Sequence, residues 1–136
     1  MGDIGIRWVQ RFGNYKKACT LLSEINNYKF DNTLTIIREG FIQRFEVTFD
    51  LAWKTVRDYL EFEGVNVQPT PRAVIKEAFS TNIISDGQIF IEMLEMRNII
   101  SHKYDEDTFN ALYMQIQQKF YPALERLRVF LEGKKE

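Results

Sequence analysis

The sequence predicts an all-α protein, an up-and-down bundle of about five helices around one long central helix. Apolar residues recur at steps of three and four along most of the chain, which is the spacing of one face of an amphipathic helix. Hydrophobic residues make up 45% of the 136 residues and aromatic residues 14%, which is ample material for one core. The short apolar segment 65–68 has no visible partner strand, so we expect a loop there.

The length of the chain fits a single domain. We therefore expect residues 1–136 to form one bundle, with only the tail from 133 to 136 frayed.

The first two predicted helices contain the longest apolar stripes. Helix one is expected between Arg7 and Ile25. Helix two is expected to follow an N-cap at Asp31 or Asn32 and to end at Gly64. Gly40 inside helix two indicates either a close helix crossing or a local bend. The two stripes are Trp8, Phe12, Tyr15, Cys19 and Leu22, and then Leu34, Ile37, Phe41, Phe45, Phe49, Ala52, Val56, Tyr59 and Leu60.

Start signals place three further helices. Thr70 followed by Pro71 predicts a helix to about Phe79, because threonine can cap and proline is well tolerated at the first helical position. Ser85 and Asp86 can cap a fourth helix, which would end near His102. The last helix should start after Asp107, and Pro122 should kink or break it. Its apolar positions are Leu112, Met114, Ile116, Phe120, Leu124, Leu127 and Leu131.

Composition excludes several classes of protein. The 18 basic residues nearly cancel the 19 acidic ones, so the strong positive field of a non-specific nucleic-acid binder is absent. A single Cys19 and a single His102 cannot form an intrachain disulfide or an ordinary His/Cys zinc site, and no metal or cofactor is expected. No signal peptide or membrane-spanning run is visible, so we expect a cytoplasmic protein without a membrane partner.

The segment from Arg97 to Tyr104 is the candidate functional site. A guanidinium can hold a phosphoryl oxygen while an imidazole moves a proton, so Arg97 and His102 suit chemistry on a phosphodiester. Asn98 could orient the phosphate, and Tyr104 would present a hydroxyl at the rim. The alternative is that Arg97 and His102 only complement the negative end of helix four.

Helix geometry limits how these groups can meet. Arg97 and His102 are five residues apart, which places them roughly 140° apart on a regular helix. They converge only if the helix loosens near Ser101 or if a second copy supplies the missing group.

The residues of this segment resemble a known signature. Arg97, Asn98, three further residues, His102, Lys103 and Tyr104 resemble the Arg-x4-6-His-x-Tyr signature of HEPN proteins. Three segments resemble the nucleotidyltransferase substrate-binding branch of that superfamily, and the likeness covers about residues 11–131. These segments are 45–54, 71–79 and 93–98.

The resemblance implies a dimerising bundle that is the toxin of a toxin–antitoxin pair with a minimal nucleotidyltransferase. Arg97 and His102, with Asn98 beside them, would be metal-independent ribonuclease residues. The partner would attach AMP to Tyr104 and so silence the nuclease. Implied partners are therefore the nucleotidyltransferase, a second copy or a higher even oligomer, and RNA or a nucleotide.

The same resemblance leaves two other roles open. The chain could be a non-catalytic nucleotide- or substrate-binding subunit of the nucleotidyltransferase, or Tyr104 could be only a modification target. The chain lacks the Gly-Ser and Asp-x-Asp pattern of a nucleotidyltransferase, so it is not expected to be one itself. Asp50 stands where many relatives carry glutamate, and no role is assigned to it.

Overall fold

The structure is a computed structural model, and it describes residues 3–26, 31, 34–102 and 105–135. Within these ranges the chain forms helices and no strands. The last two helices are joined without a break by a π-helical turn, Ile116–Phe120, so the bundle has five rods and the predicted all-α fold is confirmed. The helices are α1 (Asp3–Ser23), α2 (Thr35–Phe62), α3 (Pro71–Ser80), α4 (Gly87–Ile100), α5 (Glu106–Gln115) and α6 (Tyr121–Glu132).

Helix α2 is the centre of the bundle. It has 28 residues, which corresponds to about 42 Å. Its predicted stripe is buried from Phe41 to Leu60, whereas Leu34 is half exposed, so burial begins later than the pattern suggested. Helix α1 packs along α2, and α3, α4 and α6 also contact it. No helix within the described ranges combines the length and the apolar character needed to cross a bilayer.

Two predictions about α1 and α2 need correction. Helix α1 begins at Asp3 rather than Arg7, because its buried stripe already includes Gly5. The predicted N-cap at Asp31 is wrong, because α2 begins at Thr35 after Leu34, which makes no side-chain cap hydrogen bond. The other candidate cap, Asn32, lies outside the described residues.

Gly40 does not mark a close helix crossing. A Cβ atom placed there would meet no atom of the described residues within 4 Å, and the residue is exposed. The first of the two sequence interpretations is therefore wrong.

The predicted cap of α3 is confirmed, whereas the predictions for the starts of α4 and α5 need correction. The hydroxyl of Thr70 accepts a hydrogen bond from the Ala73 N–H at 3.3 Å, as predicted for α3. Asp86 precedes α4 but makes no cap hydrogen bond, because its carboxylate accepts from Arg126 of α6 instead. Helix α5 begins at Glu106 rather than after Asp107, because the carboxylate of Asp105 accepts from the Thr108 N–H at 2.8 Å.

Pro122 has the expected disruptive effect without ending the rod. Proline has no N–H and its ring crowds the carbonyl four residues earlier, so a regular α-helix cannot run through it. The chain responds with the π-helical turn, and Pro122 falls in the first turn of α6.

Met114 is 55% exposed, so its predicted apolar position was wrong.

A buried charge cluster joins α1 to α2. The carboxylate of Asp58 is fully buried, and the Nε atom of Arg11 lies 2.6 Å from its Oδ2 atom. Arg57 and Arg7 approach the Oδ1 atom at 3.4 and 3.9 Å. Arg7 also contacts the more exposed Glu61. Because the charge of Asp58 is compensated by three arginines, its burial is possible at this helix contact.

Replacing Asp58 with alanine should lower the free energy of unfolding by about 2 kcal/mol, because Arg11 and Arg57, whose side chains are only 29% and 23% exposed, lose their charged acceptor. Equilibrium urea unfolding measures this. Glu61→Ala is the matched control, since that carboxylate is one-third exposed and its removal should cost below about 1 kcal/mol. Equal losses for the two variants would contradict a central role for Asp58.

Candidate functional site

Arg97 lies in the last turn of α4 and forms an ion pair with Asp50 of α2. Its Nη2 atom donates a hydrogen bond to Oδ2 at 3.1 Å, and its Nε atom lies 3.0 Å from Oδ1. The side chains of Arg97 and Asp50 are 33% and 29% exposed. The guanidinium is therefore fixed at the surface but remains accessible to solvent.

The apolar residues of the two helices explain this position. On α4, Met93 and Ile100 are buried, four residues before and three residues after Arg97. On α2, Asp50 follows the fully buried Phe49. The two charged side chains thus lie at the edge of the core, where the flanks of the helices meet.

Among the described residues, part of the Arg97 guanidinium has no hydrogen-bond acceptor. Within the described residues, the Nη1 atom of Arg97 makes no hydrogen bond. The Nε atom lies close to the Asp50 carboxylate, but its N–H bond is not aligned well enough with that carboxylate to form a hydrogen bond. An arginine has five N–H donors. Arg97 can therefore bind an anion without giving up Asp50.

The end of α4 tightens rather than loosens. The Ser101 N–H donates to the Arg97 carbonyl at 3.2 Å, and the His102 N–H donates to the Ile99 carbonyl at 3.1 Å. The backbone of Ser101 is itself helical, at φ −68° and ψ −18°. The loosening that would turn Arg97 and His102 toward each other is therefore not observed.

His102 and Asn98 share a face that differs from that of Arg97. They are four residues apart, so they lie about 40° apart around the helix. Both are exposed. Among the described residues, the imidazole makes no hydrogen bond or ion pair. One chain thus brings Asn98 and His102 to the same face, while Arg97 points toward α2.

Tyr104 lies outside the described residues, as does Lys103. The described part of the chain contains no group of three or more His, Cys, Asp or Glu side chains that could hold a metal ion.

Asp50 is the site residue that sequence reasoning missed. The only signal in the sequence was a carboxylate directly beside the buried stripe of helix two, at a position where a charge needs a partner. Periodicity alone could not reveal that Arg97, 47 residues later, is that partner.

Comparison with known proteins assigns the chain to a family. Residues 10–133 match the family described as nucleotidyltransferase substrate binding protein like. The chain belongs to this family. The predicted relationship to the substrate-binding branch of the HEPN superfamily is thereby confirmed.

Two relatives of this nucleotidyltransferase substrate binding protein-like chain illustrate the match. The chain is 29% identical over 110 residues to the probable ribonuclease HepT of Haemophilus influenzae. This match covers 73% of this chain and 75% of the relative. A crystal structure of a Thermus thermophilus protein shares 26% identity and superimposes with a TM-score of 0.69. That match covers 90% of this chain and 98% of the other.

Proposed function

We propose that this chain is a metal-independent endoribonuclease that acts as a dimer and uses Arg97, His102 and Asn98. The observation that carries the proposal is the position of Arg97, which Asp50 holds at the exposed end of α4, five residues before the only histidine of the sequence. The similarity to a probable ribonuclease supports the same reaction class.

The chemistry requires an acid, a base and a stabiliser of negative charge. One imidazole takes the proton of a ribose 2′-hydroxyl, whose oxygen then attacks the adjacent phosphorus. Arg97 stabilises the charge that develops on the phosphoryl oxygens, and the Asn98 amide orients the phosphate. A water molecule gives a proton to the departing 5′-oxygen. The products are a 2′,3′-cyclic phosphate and a 5′-hydroxyl.

A second copy of the chain supplies what one copy lacks. Each chain has one histidine, and Arg97 and His102 lie on diverging faces of the helix end. In a symmetric dimer, each site can combine Arg97 of one protomer with His102 of its partner. Ile99 is 49% exposed between these groups, and it provides apolar surface for such a contact.

His102→Ala should lower the rate of RNA cleavage in excess EDTA by about 10²–10⁴-fold, because general acid–base catalysis is lost. The assay uses labelled RNA and detects the 2′,3′-cyclic phosphate end. Circular dichroism of the identically purified variant controls for folding. Cleavage by the variant at the rate of the unmutated protein would show that His102 has no role.

Mixing two inactive variants tests the shared site. If each site combines Arg97 and His102 from different protomers, equal amounts of Arg97→Ala and His102→Ala chains should recover about a quarter of the original activity. Half of the dimers would then be mixed, and each would hold one intact site. Refolding the two chains together and measuring cleavage checks this. Sites built within one chain would give no recovery.

We further propose that a minimal nucleotidyltransferase is the partner, that the pair is of the toxin–antitoxin type, and that the partner silences the nuclease by attaching AMP to Tyr104. The family description supports an association with such an enzyme. A cytoplasmic location suits an RNA substrate and the single Cys19, which forms no intrachain disulfide.

Incubation with the nucleotidyltransferase and ATP should add the mass of AMP to the tryptic peptide that contains Tyr104, and RNA cleavage should fall in proportion. Mass spectrometry and the cleavage assay measure the two effects in one sample. Tyr104→Phe should take up no AMP and should remain active in the presence of the partner. AMP on a different residue would contradict the assignment.

The alternative is a non-catalytic subunit that binds a nucleotide or substrate for the nucleotidyltransferase. The balanced overall charge and the family description favour it. Stable binding to the nucleotidyltransferase, without RNA cleavage by the unmutated chain, would establish this role in place of the nuclease.

A further inference from the structure

Arg72 and Lys76 of α3 differ from most basic residues in the protein. The other described lysines and arginines, with the exception of Lys17 on α1, contact a carboxylate, an aromatic ring or another group. For Arg72 and Lys76 no such contact exists within the described part of the chain, and both side chains are exposed. Two cations on one short helix are thus free to bind a ligand.

The position of Arg72 is not explained by the stability of α3. It is the second residue of the helix, where the backbone dipole favours acidic side chains and disfavours cations. The first turn of α3 contains no acidic residue to offset it. An arginine at this position is therefore better explained by a ligand than by the fold.

Phe79 continues the same face of α3. Arg72, Lys76 and Phe79 are spaced by four and three residues, so they form one row along the helix. Phe79 is 48% exposed, yet its ring is held against Gly87 at the start of α4. A Cβ atom on residue 87 would approach the Cγ atom of Phe79 to 3.0 Å, so glycine is what allows this contact.

A surface depression lies beside this row. It has a volume of about 450 Å³, and its lining includes Lys76, Phe79 and Ile91 of α4. Ile91, Asn98 and His102 lie within about 40° of one another around α4, so the depression opens on the face that carries the proposed catalytic residues. Ile91 and Asn98 are about 10 Å apart along the axis.

The short connection between α3 and α4 orients the row toward the catalytic end. Phe79 contacts Gly87, and Lys76 shares the depression with Ile91, so residues further back on α3 lie further along α4. Of the three residues in the row, Arg72 therefore lies nearest to the end of α4 that carries Asn98. From the depression to the catalytic end, the row therefore consists of the Phe79 ring, the Lys76 ammonium group and the Arg72 guanidinium.

We propose that Arg72, Lys76 and Phe79, termed here the α3 track, bind single-stranded RNA and lead it to Arg97 and His102. This inference rests on the proposed ribonuclease function. Free cations neutralise phosphates, and an exposed aromatic face stacks a base without selecting its identity. The α3 track also explains how a chain with no net positive charge can hold RNA, because the positive charge is local.

The test measures binding in a His102→Ala background, so that cleavage does not interfere. Fluorescence anisotropy of a short fluorescein-labelled RNA of mixed sequence is followed in EDTA over a range of salt concentrations. Adding Arg72→Ala and Lys76→Ala should reduce the slope of log affinity against log salt by about 1.4, which is about 0.7 for each lost phosphate contact. Lys17→Ala is the matched control, because Lys17 is exposed and has no partner among the described residues, and it should leave the slope unchanged.

Phe79→Leu tests the stacking contact separately. Leucine keeps an apolar contact with Gly87 but removes the aromatic face, so affinity should fall about tenfold while the salt slope is unchanged. Phe62→Leu is the control, because Phe62 is also a partly exposed phenylalanine but lies on α2. Circular dichroism verifies the fold of each variant.

The outcomes separate this inference from the proposed function. Unchanged affinity and slope in the α3 track variants would overturn the track, and so would an absence of RNA binding at every salt concentration. Cleavage by the unmutated chain reports on the nuclease alone. If the variants lose RNA as expected but the unmutated chain does not cleave it, the track stands and the nuclease proposal fails.

Discussion

The unbroken apolar stripe of α2 is the constraint on which the rest of the structure depends. Helices α1, α3, α4 and α6 all contact this one rod, so its faces set their positions. The flank of the same helix carries Asp50 and Asp58, about 12 Å apart along the axis. One helix thus supplies the apolar core, the acceptor for the α1 arginines and the acceptor for Arg97.

The two carboxylates differ in solvent exposure, and this difference separates their roles. Asp58 is fully buried and its charge is compensated by three arginines, so it stabilises the contact between α1 and α2. Asp50 remains 29% exposed and leaves its partner partly open to solvent. A guanidinium held in this way would lose little further freedom on binding a phosphate, as the proposed function requires, which is the benefit of a preorganised site.

Local rules predicted those parts of the structure that depend on neighbouring residues. The start of α3 follows from Thr70 and Pro71 alone, and the divergence of Arg97 and His102 follows from the pitch of a helix. The cap predicted at Asp86 for α4 does not form, because its carboxylate accepts from Arg126 of another helix, which local rules cannot reveal. The salt bridge between Arg97 and Asp50 could not be predicted for the same reason, because only tertiary packing brings these two residues together.

The stripe pattern also predicted burial in the middle of the bundle better than burial at the ends of the stripes. Phe41 was expected to be buried and is packed edge to face against Phe109 at 4.7 Å. Met114 and Leu34 continue their stripes in the sequence but are half exposed, because no other element among the described residues covers those positions. Periodicity reports which side of a helix is apolar, whereas the extent of burial depends on the length of its neighbours.

The π-helical turn before Pro122 allows one rod to serve two different neighbours. Before the turn, Phe109 packs on Phe41 of α2, and after it the carbonyl of Leu124 accepts a hydrogen bond from Tyr15 of α1. A π turn contains one residue more than a regular turn, so it changes the phase of the helix that follows. The fold can therefore absorb the loss of one residue between 116 and 120 by exchanging π for α geometry. The same change in α2 would rotate half of the central stripe out of the core, so evolutionary variation in length is expected at the turn and not in the central rod.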